Sequence, residues 1–277
     1  MHVVSTVAEL RQRLDHGATV AFVPTMGNLH AGHLHLVELA RQHAKTVVVS
    51  IFVNPLQFGA DEDLANYPRT LEADYEKLKL AGADIVFTPT VEEMYPTPQT
   101  LLVEPPPIAN ELCGAARPGH FKGVATVVLK LFNMVQPQVA VFGKKDFQQL
   151  FVIREMVRQF NLPIAIVAGD TVREPDGLAM SSRNGYLQPV QRVEAPRLYR
   201  ALQQVVTAMQ AGEQDPVKIE AQTTQYLTQL GWVVDYISVR AAKTLRSAQP
   251  DDRELVVLGA ARQGRTRLID NLEFTRD

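Results

Sequence analysis

The fold is decided by a stretch near the N-terminus, where residues 19–33 read TVAFVPTMGNLHAGH. Its first part, Thr19–Val23, is almost continuously apolar, which is typical of a strand buried on both faces of a parallel sheet. A turn containing Gly27 follows, and helical spacing of apolar residues begins near Gly32. A buried strand, a glycine turn and a helix in this order predict a βα unit of an α/β domain.

The same alternation continues along the chain. Further buried strands are predicted over Thr46–Val53, Asp84–Thr88, Gln138–Phe142 and Ile164–Ala168. Helical spacing is found over Gly32–His43, Thr70–Ala81, Gly123–Val135 and Asp146–Asn161. Strand–helix alternation of this kind predicts an α/β fold with a Rossmann-like, doubly wound parallel sheet.

The pattern changes after about Gly185. Two amphipathic helices are predicted over Val190–Gln210 and Pro216–Leu230. Three strands are predicted after them, over Val233–Val239, Glu254–Ala260 and Thr266–Ile269. We therefore expect a smaller C-terminal α+β domain, with residues 1–178 in the first domain and 179–277 in the second.

Composition limits the classes of partner. The 28 Lys and Arg residues against 30 Asp and Glu give a formal net charge of −2. Because binding nucleic acid requires a basic surface, this balance argues against nucleic acid as the main partner. Cys113 is the only cysteine, which excludes an intrachain disulfide and predicts a small, buried hydrophobic side chain.

The compartment is predicted from two features. The N-terminal residues Met1–Ser5 contain no basic patch followed by an apolar segment, as a signal peptide would. No uncharged apolar run reaches the roughly 18 residues that a membrane span needs. We therefore expect a cytoplasmic protein without a membrane partner.

His30 and His33 follow the glycine turn and lie three residues apart at the predicted helix start. A helix N-terminus presents unpaired N–H groups and a partial positive charge, which favour phosphate. Two imidazoles at that point can donate hydrogen bonds to phosphate oxygens as charge develops. Two alternatives are surface histidines in an ordinary turn and part of a metal site.

A second polar segment follows the strand predicted over Thr46–Val53. Asn54 and Gln57 stand at an Asn-Pro turn just beyond that strand, where ligands bind in open α/β sheets. An ordinary turn with exposed amides is the alternative.

Two later segments carry further candidates. Lys145 follows a strand and can meet a phosphate, Asp146 is placed to cap a helix, and Gln149 lies one turn into that helix. Met180–Arg183 offers two hydroxyl groups and a guanidinium that can bind phosphate oxygens. The alternatives are a solvated lysine pair with a helix cap, and a polar linker.

Together these segments resemble the pantoate–β-alanine ligase family of the nucleotidyltransferase superfamily that carries His-x-Gly-His. The resemblance runs from Val20 to about Phe274. Its motifs here are Pro-Thr-Met-Gly-x-Leu-His-x-Gly-His at 24–33, Asn-Pro-Leu-Gln-Phe-Gly at 54–59, Tyr-Pro-Arg-Thr at 67–70, Arg-Pro-Gly-His-Phe at 117–121, Gly-x-Lys-Asp-x-Gln-Gln at 143–149 and Met-Ser-Ser-Arg-Asn at 180–184.

The resemblance implies a role for each matching residue. The implied catalytic residues are His30, His33, Lys145 and Arg183. The implied ATP-binding residues are Met26, Gly27, Asn28, Leu29, His30, Ala31, Gly32, His33, Gly143, Lys144, Lys145, Asp146, Val172, Met180, Ser181, Ser182 and Arg183. The implied substrate-binding residues are Asn54, Gln57, Tyr67 and Gln149, and Asp74 is a candidate ligand for Mg²⁺.

The implied activity is a ligation in two steps. ATP and (R)-pantoate would form pantoyl adenylate, which β-alanine would convert to pantothenate with release of AMP and pyrophosphate. Residues 1–178 would bind ATP and pantoate, and residues 179–277 would act as a lid. A cover for the intermediate is expected from Gly59–Arg69 or from a hinge near Gly177–Gly185.

Two other functions stay open at this point. One is a nucleotidyltransferase acting on another small acid and leaving AMP attached to its product. The other is a nucleotide sensor without chemistry. The family also implies a homodimer.

Overall fold

A computed structural model describes residues 1–14, 17–59, 62 and 64–276. The chain divides into two compact units, which are described separately. The first unit comprises Met1–Pro107, Arg117–Lys144 and Val152–Asp170. The second comprises Ile108–Ala116, Lys145–Phe151 and Thr171–Asp277.

The first unit contains a six-stranded sheet in which every pair of neighbouring strands is parallel. Its strands are β1 (His2–Val4), β2 (Val20–Thr25), β3 (Thr46–Ile51), β4 (Ile85–Phe87), β5 (Val139–Gly143) and β6 (Ala165–Gly169). Their order is β1-β4-β3-β2-β5-β6, so the sheet is doubly wound as predicted. The order reverses between β2 and β5. In open α/β sheets, ligands bind beyond the carboxyl ends of the strands at such a reversal point.

The helices of the chain are α1 (Val7–Arg13), α2 (Ala31–Arg41), α3 (Leu71–Ala81), α4 (Val91–Met94), α5 (Cys113–Ala116), α6 (His120–Val135), α7 (Phe147–Gln159), α8 (Pro189–Glu194), α9 (Arg197–Gln210) and α10 (Pro216–Gln229). Short 3₁₀ helices lie at Pro55–Gln57, Pro107–Asn110, Lys144–Asp146 and Ser182–Tyr186. Within the part of the chain that the structure describes, no helix is long and apolar enough to cross a membrane.

Helices α2 and α3 cover one face of the first unit's sheet. Val37 and Ala40 of α2, Leu78 of α3 and Val49 of β3 are fully buried in one hydrophobic cluster. Burying each Val or Leu side chain stabilises the fold by roughly 1.5–3 kcal/mol. This packing fixes the start of α2 relative to the end of β2.

Helix α6 approaches the 3₁₀ turn Pro55–Gln57 at Gly123. A Cβ atom built on Gly123 would lie 2.2 Å from the carbonyl oxygen of Leu56. A side chain at this position therefore cannot be accommodated without moving one of the two backbones. The absence of a side chain allows the helix and the turn to pack backbone against backbone.

The second unit contains an antiparallel sheet of three strands, β7 (Val233–Ala241), β8 (Glu254–Gln263) and β9 (Thr266–Thr275), in that order. Its core includes Leu202 and Val205 of α9, Leu227 of α10, and Trp232. The predicted α+β organisation of the C-terminal part is thus confirmed.

The secondary structure differs from the prediction in several places. Helices α4 and α5 were not expected, and strand β9, predicted over Thr266–Ile269, extends to Thr275. Strand β1 and helix α1 occupy residues 2–13, where no element was expected. The single helix predicted over 190–210 is two helices, α8 and α9, separated at Ala195 and Pro196. Pro196 has no N–H to donate to a carbonyl one turn earlier, so a continuous helix is interrupted there.

The division into units also differs from the expected boundary at 178/179, because Thr171 already belongs to the second unit. Two earlier segments join it as well. The Gln148 side chain connects them, since its Nε2 donates to Ile108 O and Glu111 O at 2.9 Å and its Oε1 accepts from Cys113 N at 3.0 Å. Such contacts between distant segments are not encoded in local patterning.

Cys113 is buried, as predicted, but its surroundings are polar. Its Sγ lies 3.0 Å from Tyr236 Oη and 3.6 Å from Arg267 Nη2. Burial raises the pKa of the Tyr236 hydroxyl, and the neighbouring thiol adds to this effect. The thiol therefore contacts polar groups, although the sequence predicted hydrophobic packing.

Candidate active site

The turn after β2 is fixed by hydrogen bonds and by a glycine. The Thr25 hydroxyl donates to Ser50 O at 2.7 Å and accepts from Gly27 N at 3.2 Å. Gly27 and Asn28 have positive φ angles of 81° and 49°. A Cβ on Gly27 would lie 2.9 Å from Ile51 Cγ2, so both the conformation and the space at this position require glycine.

Helix α3 holds the same turn through two side chains. The Asp74 carboxylate is fully buried and accepts the N–H groups of Asn28 and Leu29, both at 2.8 Å. Thr70 Oγ1 also donates to Asp74, at 3.2 Å. Lys77 Nζ donates to Leu29 O at 2.7 Å. Helix α3 therefore pairs Asn28 N, Leu29 N and Leu29 O of the turn.

Asp74 does not fit the magnesium-ligand role implied for it, because its oxygens face N–H and O–H donors. Among the residues that the structure describes, no group of three or more His, Cys, Asp and Glu side chains could hold a metal ion. Mg²⁺ commonly keeps phosphate and water ligands in ATP-dependent enzymes.

His30 and His33 cap the start of α2 reciprocally. His30 Nδ1 accepts from Gly32 N at 3.2 Å, and His33 Nδ1 accepts from His30 N at 3.3 Å. The ring centroids are 4.1 Å apart. A nitrogen that accepts a hydrogen bond carries no proton, so each neutral imidazole carries its hydrogen on Nε2. The two backbone hydrogen bonds thus make Nε2 the donor nitrogen of each neutral ring.

Asn54 and Gln57 lie against this turn in the first unit. Asn54 is 1% exposed, and its Nδ2 donates to Gln57 Oε1 at 3.1 Å and to Gly123 O at 3.2 Å. Gln57 Nε2 contacts Met26 Sδ at 3.2 Å. Two separately predicted segments, 26–33 and 54–57, are therefore in direct contact. Tyr95, which the sequence did not indicate, donates to Asn54 Oδ1 at 2.7 Å.

A third histidine contacts the backbone of Gln57. His120 Nδ1 lies 2.9 Å from Gln57 O and must donate, because a carbonyl only accepts. Arg117 Nη1 donates to His120 Nε2 at 3.0 Å, and its guanidinium forms a bidentate pair with Glu62 at 2.7 and 2.6 Å. The sequence marks residues 117–121 as a family motif but gives neither side chain a role.

Tyr67, implied to contact substrate, is 7% exposed, and its ring centroid lies 5.9 Å from that of Phe58. Its substrate role stays a prediction. The expected cover segment 59–69 includes three residues outside the described part of the chain, Ala60, Asp61 and Asp63.

At the end of β5, Gly143 and Lys144 belong to the first unit. Lys144 Nζ lies 3.0 Å from Asp170 Oδ1, and the Asp170 side chain is 84% exposed. Such an exposed ion pair contributes little free energy. Breaking the ion pair so that Lys144 binds a phosphate would therefore cost little free energy.

The second unit holds Lys145, Asp146 and Gln149. Lys145 Nζ is 3.7 Å from Asp146 Oδ1, and its backbone oxygen accepts from Asn271 Nδ2 at 2.9 Å. Asp146 directly precedes α7, and Gln149 is half-buried in the first turn of that helix. Their roles toward ATP and pantoate stay predictions.

The second unit also brings Val172 and Met180–Arg183 together. Met180 N donates to Val172 O at 3.0 Å. Ser181 caps the following 3₁₀ helix, since its hydroxyl accepts from Arg183 N at 3.2 Å. Val172 and Met180–Arg183, both implied to bind ATP, are therefore neighbours in this unit.

Arg173 holds this loop and was not indicated by sequence. Its guanidinium binds Asp270 through two hydrogen bonds of 2.7 and 2.9 Å and donates to Gly177 O at 3.1 Å. It also lies over the Tyr199 ring, 3.7 Å from the centroid. The expected hinge near 177–185 thus begins within a segment that is anchored to its own unit.

Comparisons with known proteins match nearly the whole chain to members of one family. A profile of the family described as pantoate-beta-alanine ligase matches residues 2–273. A pantothenate synthetase of Methylobacillus flagellatus is 68% identical over 275 residues, covering 99% of each chain. The crystal structure of pantothenate synthetase from Thermus thermophilus has a TM-score of 0.92 and 48% identity, covering 98% of this chain and 99% of that one. The pantoate-beta-alanine ligase from Francisella tularensis, complexed with beta-gamma ATP and beta-alanine, has a TM-score of 0.84 and 33% identity, covering 98% and 97%.

The doubly wound sheet and the histidine-capped helix after β2 define a nucleotide-binding α/β enzyme. The match to the family profile covers almost every residue of the chain. The chain belongs to the pantoate–β-alanine ligase family, and it is a ligase.

Proposed function

We propose that this enzyme condenses (R)-pantoate with β-alanine in two steps that consume ATP. A carboxylate oxygen of pantoate attacks the α-phosphorus of ATP, and pyrophosphate leaves. The amine of β-alanine then attacks the acyl carbon of pantoyl adenylate, loses a proton, and AMP leaves. Adenylation is needed because a free carboxylate has no good leaving group, whereas AMP is a stable anion.

The histidine pair at the start of α2 carries the proposal. Its two Nε2–H donors lie beside a glycine turn at the N-terminus of a helix, which favours an anion. Hydrogen bonds from fixed donors to the triphosphate would stabilise the charge that develops in adenylyl transfer. A well-placed donor of this kind is worth about 3–4 kcal/mol of the barrier.

The other implied residues receive roles by the same chemistry. The backbone of Met26–His33 and of Gly143–Asp146 would bind ATP, with Val172 and Met180–Arg183. Lys145 and Arg183 would bind phosphate oxygens. Gln57 and Gln149 would hold pantoate.

Three further points belong to the proposal. Mg²⁺ would accompany ATP and neutralise part of the triphosphate charge. The enzyme would act in the cytoplasm, because the reaction draws on the ATP pool there. It would be a homodimer, which light scattering of the purified protein would test.

The deciding experiment follows pantothenate, AMP and pyrophosphate, the three products of the complete reaction. The protein is incubated with ATP, Mg²⁺, pantoate and β-alanine, and the products are identified by mass and by nucleotide chromatography. We expect pantothenate and AMP in equal amounts. When β-alanine is omitted, ATP and pantoate should still release pyrophosphate.

Other outcomes would favour the alternative functions. An adenylated acid that persists after β-alanine is added would indicate a nucleotidyltransferase. Absence of pyrophosphate release with any acid, despite ATP binding, would indicate a nucleotide sensor.

A further inference from the structure

The Tyr95 hydroxyl is held next to the Asn54 amide by packing around its ring. The centroid of the Tyr95 ring lies 6.1 Å from that of the Phe52 ring. Lys130, which belongs to α6, places its Nζ 5.1 Å from the Tyr95 centroid. Lys130 Nζ is itself fixed by a 2.9 Å hydrogen bond to Gln99 Oε1. The hydroxyl then reaches Asn54 Oδ1 at 2.7 Å. The position of this hydroxyl is therefore set by several elements of the first unit.

The orientation of the Asn54 amide is determined by two backbone groups. Leu56 N can only donate and lies 3.3 Å from Oδ1, whereas Gly123 O can only accept and lies 3.2 Å from Nδ2. Because Oδ1 is the acceptor, the Tyr95 hydroxyl must be the donor in its 2.7 Å hydrogen bond. Both hydrogens of Nδ2 have acceptors, Gly123 O and Gln57 Oε1, so Asn54 has no donor left for a substrate.

The same reasoning determines the orientation of Gln57. The atom that faces Asn54 Nδ2 at 3.1 Å must be an acceptor, so it is Oε1. The Nε2 group therefore lies on the other side, where it contacts Met26 Sδ at 3.2 Å. A thioether sulfur is a weak acceptor, so an anionic oxygen is a better partner for this amide group.

We infer that Tyr95 is a positioning residue for pantoate, acting through Asn54 to keep the Gln57 amide as a hydrogen-bond donor toward the substrate. The inference rests on the proposed function, in which Gln57 holds pantoate. It changes the expected role of Asn54 from a substrate contact to a link between Tyr95 and Gln57.

The chemistry of the phenol suits this role. The phenol is already protonated at neutral pH at its ordinary pKa of 10.0, and burial raises the pKa of Tyr95 further, so the hydroxyl is a donor. A Phe side chain would keep the packing against Phe52 and Lys130 but would remove the hydrogen bond to Asn54. Tyr95→Phe therefore separates positioning from packing.

The test is a double-mutant cycle on the purified full-length protein. The KM values for pantoate and ATP and the kcat are measured for the wild type, Tyr95→Phe, Gln57→Ala and the double variant. We expect Tyr95→Phe to raise the KM for pantoate about fivefold to tenfold, the effect of losing one hydrogen bond, with the KM for ATP within about twofold. In the Gln57→Ala background, Tyr95→Phe should change the pantoate KM no further.

Tyr75→Phe is the matched control, because Tyr75 packs against the hydrophobic cluster of the same unit. It should leave all constants unchanged. An equal rise of the pantoate KM in both backgrounds, or an equal rise for ATP and pantoate, would overturn the inference. An unchanged pantoate KM in Gln57→Ala would show that Gln57 does not hold pantoate, and this result would also overturn the inference. A wild-type protein that makes no pantothenate would overturn the proposed function as well.

Discussion

The buried carboxylate of Asp74 accepts the backbone N–H of Leu29, 45 residues earlier in the chain, at 2.8 Å. The same carboxylate accepts Asn28 N, so helix α3 determines the shape of the turn that precedes the two histidines. Asp74→Asn would turn an NH₂ group toward one of these donors. We expect a loss of about 1–3 kcal/mol in the free energy of unfolding, because a buried donor is left without an acceptor.

Urea denaturation measures this loss, and the KM for ATP should rise in the same variant. Glu72→Gln is the control, since Glu72 is an exposed carboxylate on the same helix. Equal unfolding midpoints for Asp74→Asn and the wild type would show that the turn does not depend on this carboxylate.

His33→Ala should lower the single-turnover rate of adenylate formation about 100-fold or more, because a hydrogen-bond donor to the developing charge is lost. It also removes the acceptor for His30 N. Loss of a helix cap costs about 0.5–2 kcal/mol, so the fold should persist. Rapid-quench measurement of pyrophosphate gives the rate, and circular dichroism gives the fold.

His43→Ala is the companion variant, because His43 is exposed just beyond the C-terminus of α2. It should adenylate pantoate at the wild-type rate. A near-normal rate in folded His33→Ala would exclude His33 from the chemistry.

Arg173→Ala should strongly destabilise the second unit. Asp270 has a side chain only 4% exposed, and it would lose both hydrogen bonds from the guanidinium. Removing one partner of a buried pair costs about 3–5 kcal/mol. Arg192→Ala breaks the more exposed pair with Asp176 in the same unit and should cost about 0–1 kcal/mol. Similar unfolding midpoints for the two variants would contradict this ranking.

The pH dependence of stability should contain opposite contributions from two glutamates of the second unit. Burial raises the pKa of Glu220 above its ordinary value, although Val239 N–H and Arg240 favour the ionised form. The folded state therefore retains this proton where the unfolded chain loses it. The resulting stabilisation is complete below the unfolded pKa of 4.5 and is lost as pH rises through the folded pKa. Glu220→Gln should gain stability relative to the wild type as the pH is raised from the unfolded pKa through the folded one.

Glu213 provides the opposite case, because hydrogen bonds from Lys218 and from the backbone of Asp215 lower its pKa. Its contribution is present above the ordinary pKa of 4.5 and is lost as pH falls through the folded value. Glu213→Gln should therefore be less stable than the wild type at neutral pH, and the difference should diminish in acid. Denaturant midpoints across this range measure both variants, and changes of the same sign would refute the assignment.

Local patterning was enough to predict the sheet but not its edge. The strands β2, β3 and β5 are continuous apolar runs, and each was predicted because a strand buried on both faces tolerates few polar residues. Strand β1 has only three residues and begins with exposed His2, so it carries no such signal. Its strand geometry comes from parallel pairing with β4, which lies much later in the chain, as in the pair His2 and Ile85.

Local sequence patterns also predicted only part of the candidate active site. His30 and His33 could be predicted as neighbours because helical spacing brings residues i and i+3 together. Tyr95, Lys77 and Arg173 could not, since each acts on a residue tens of positions away or through a side chain whose orientation is set by folding. The family resemblance made Asp74 a candidate metal ligand, but the N–H donors around its carboxylate are visible only in three dimensions.

The contact between Gly123 and the carbonyl of Leu56 restricts how this enzyme can diverge. Enlarging a pocket or adapting it to another acid usually proceeds by exchanging side chains, but here two main chains meet and no side chain is available for exchange. With Gln57 holding pantoate as proposed, selection for a new substrate would have to act on residues on other sides of Gln57, and libraries that randomise position 123 would return mainly glycine.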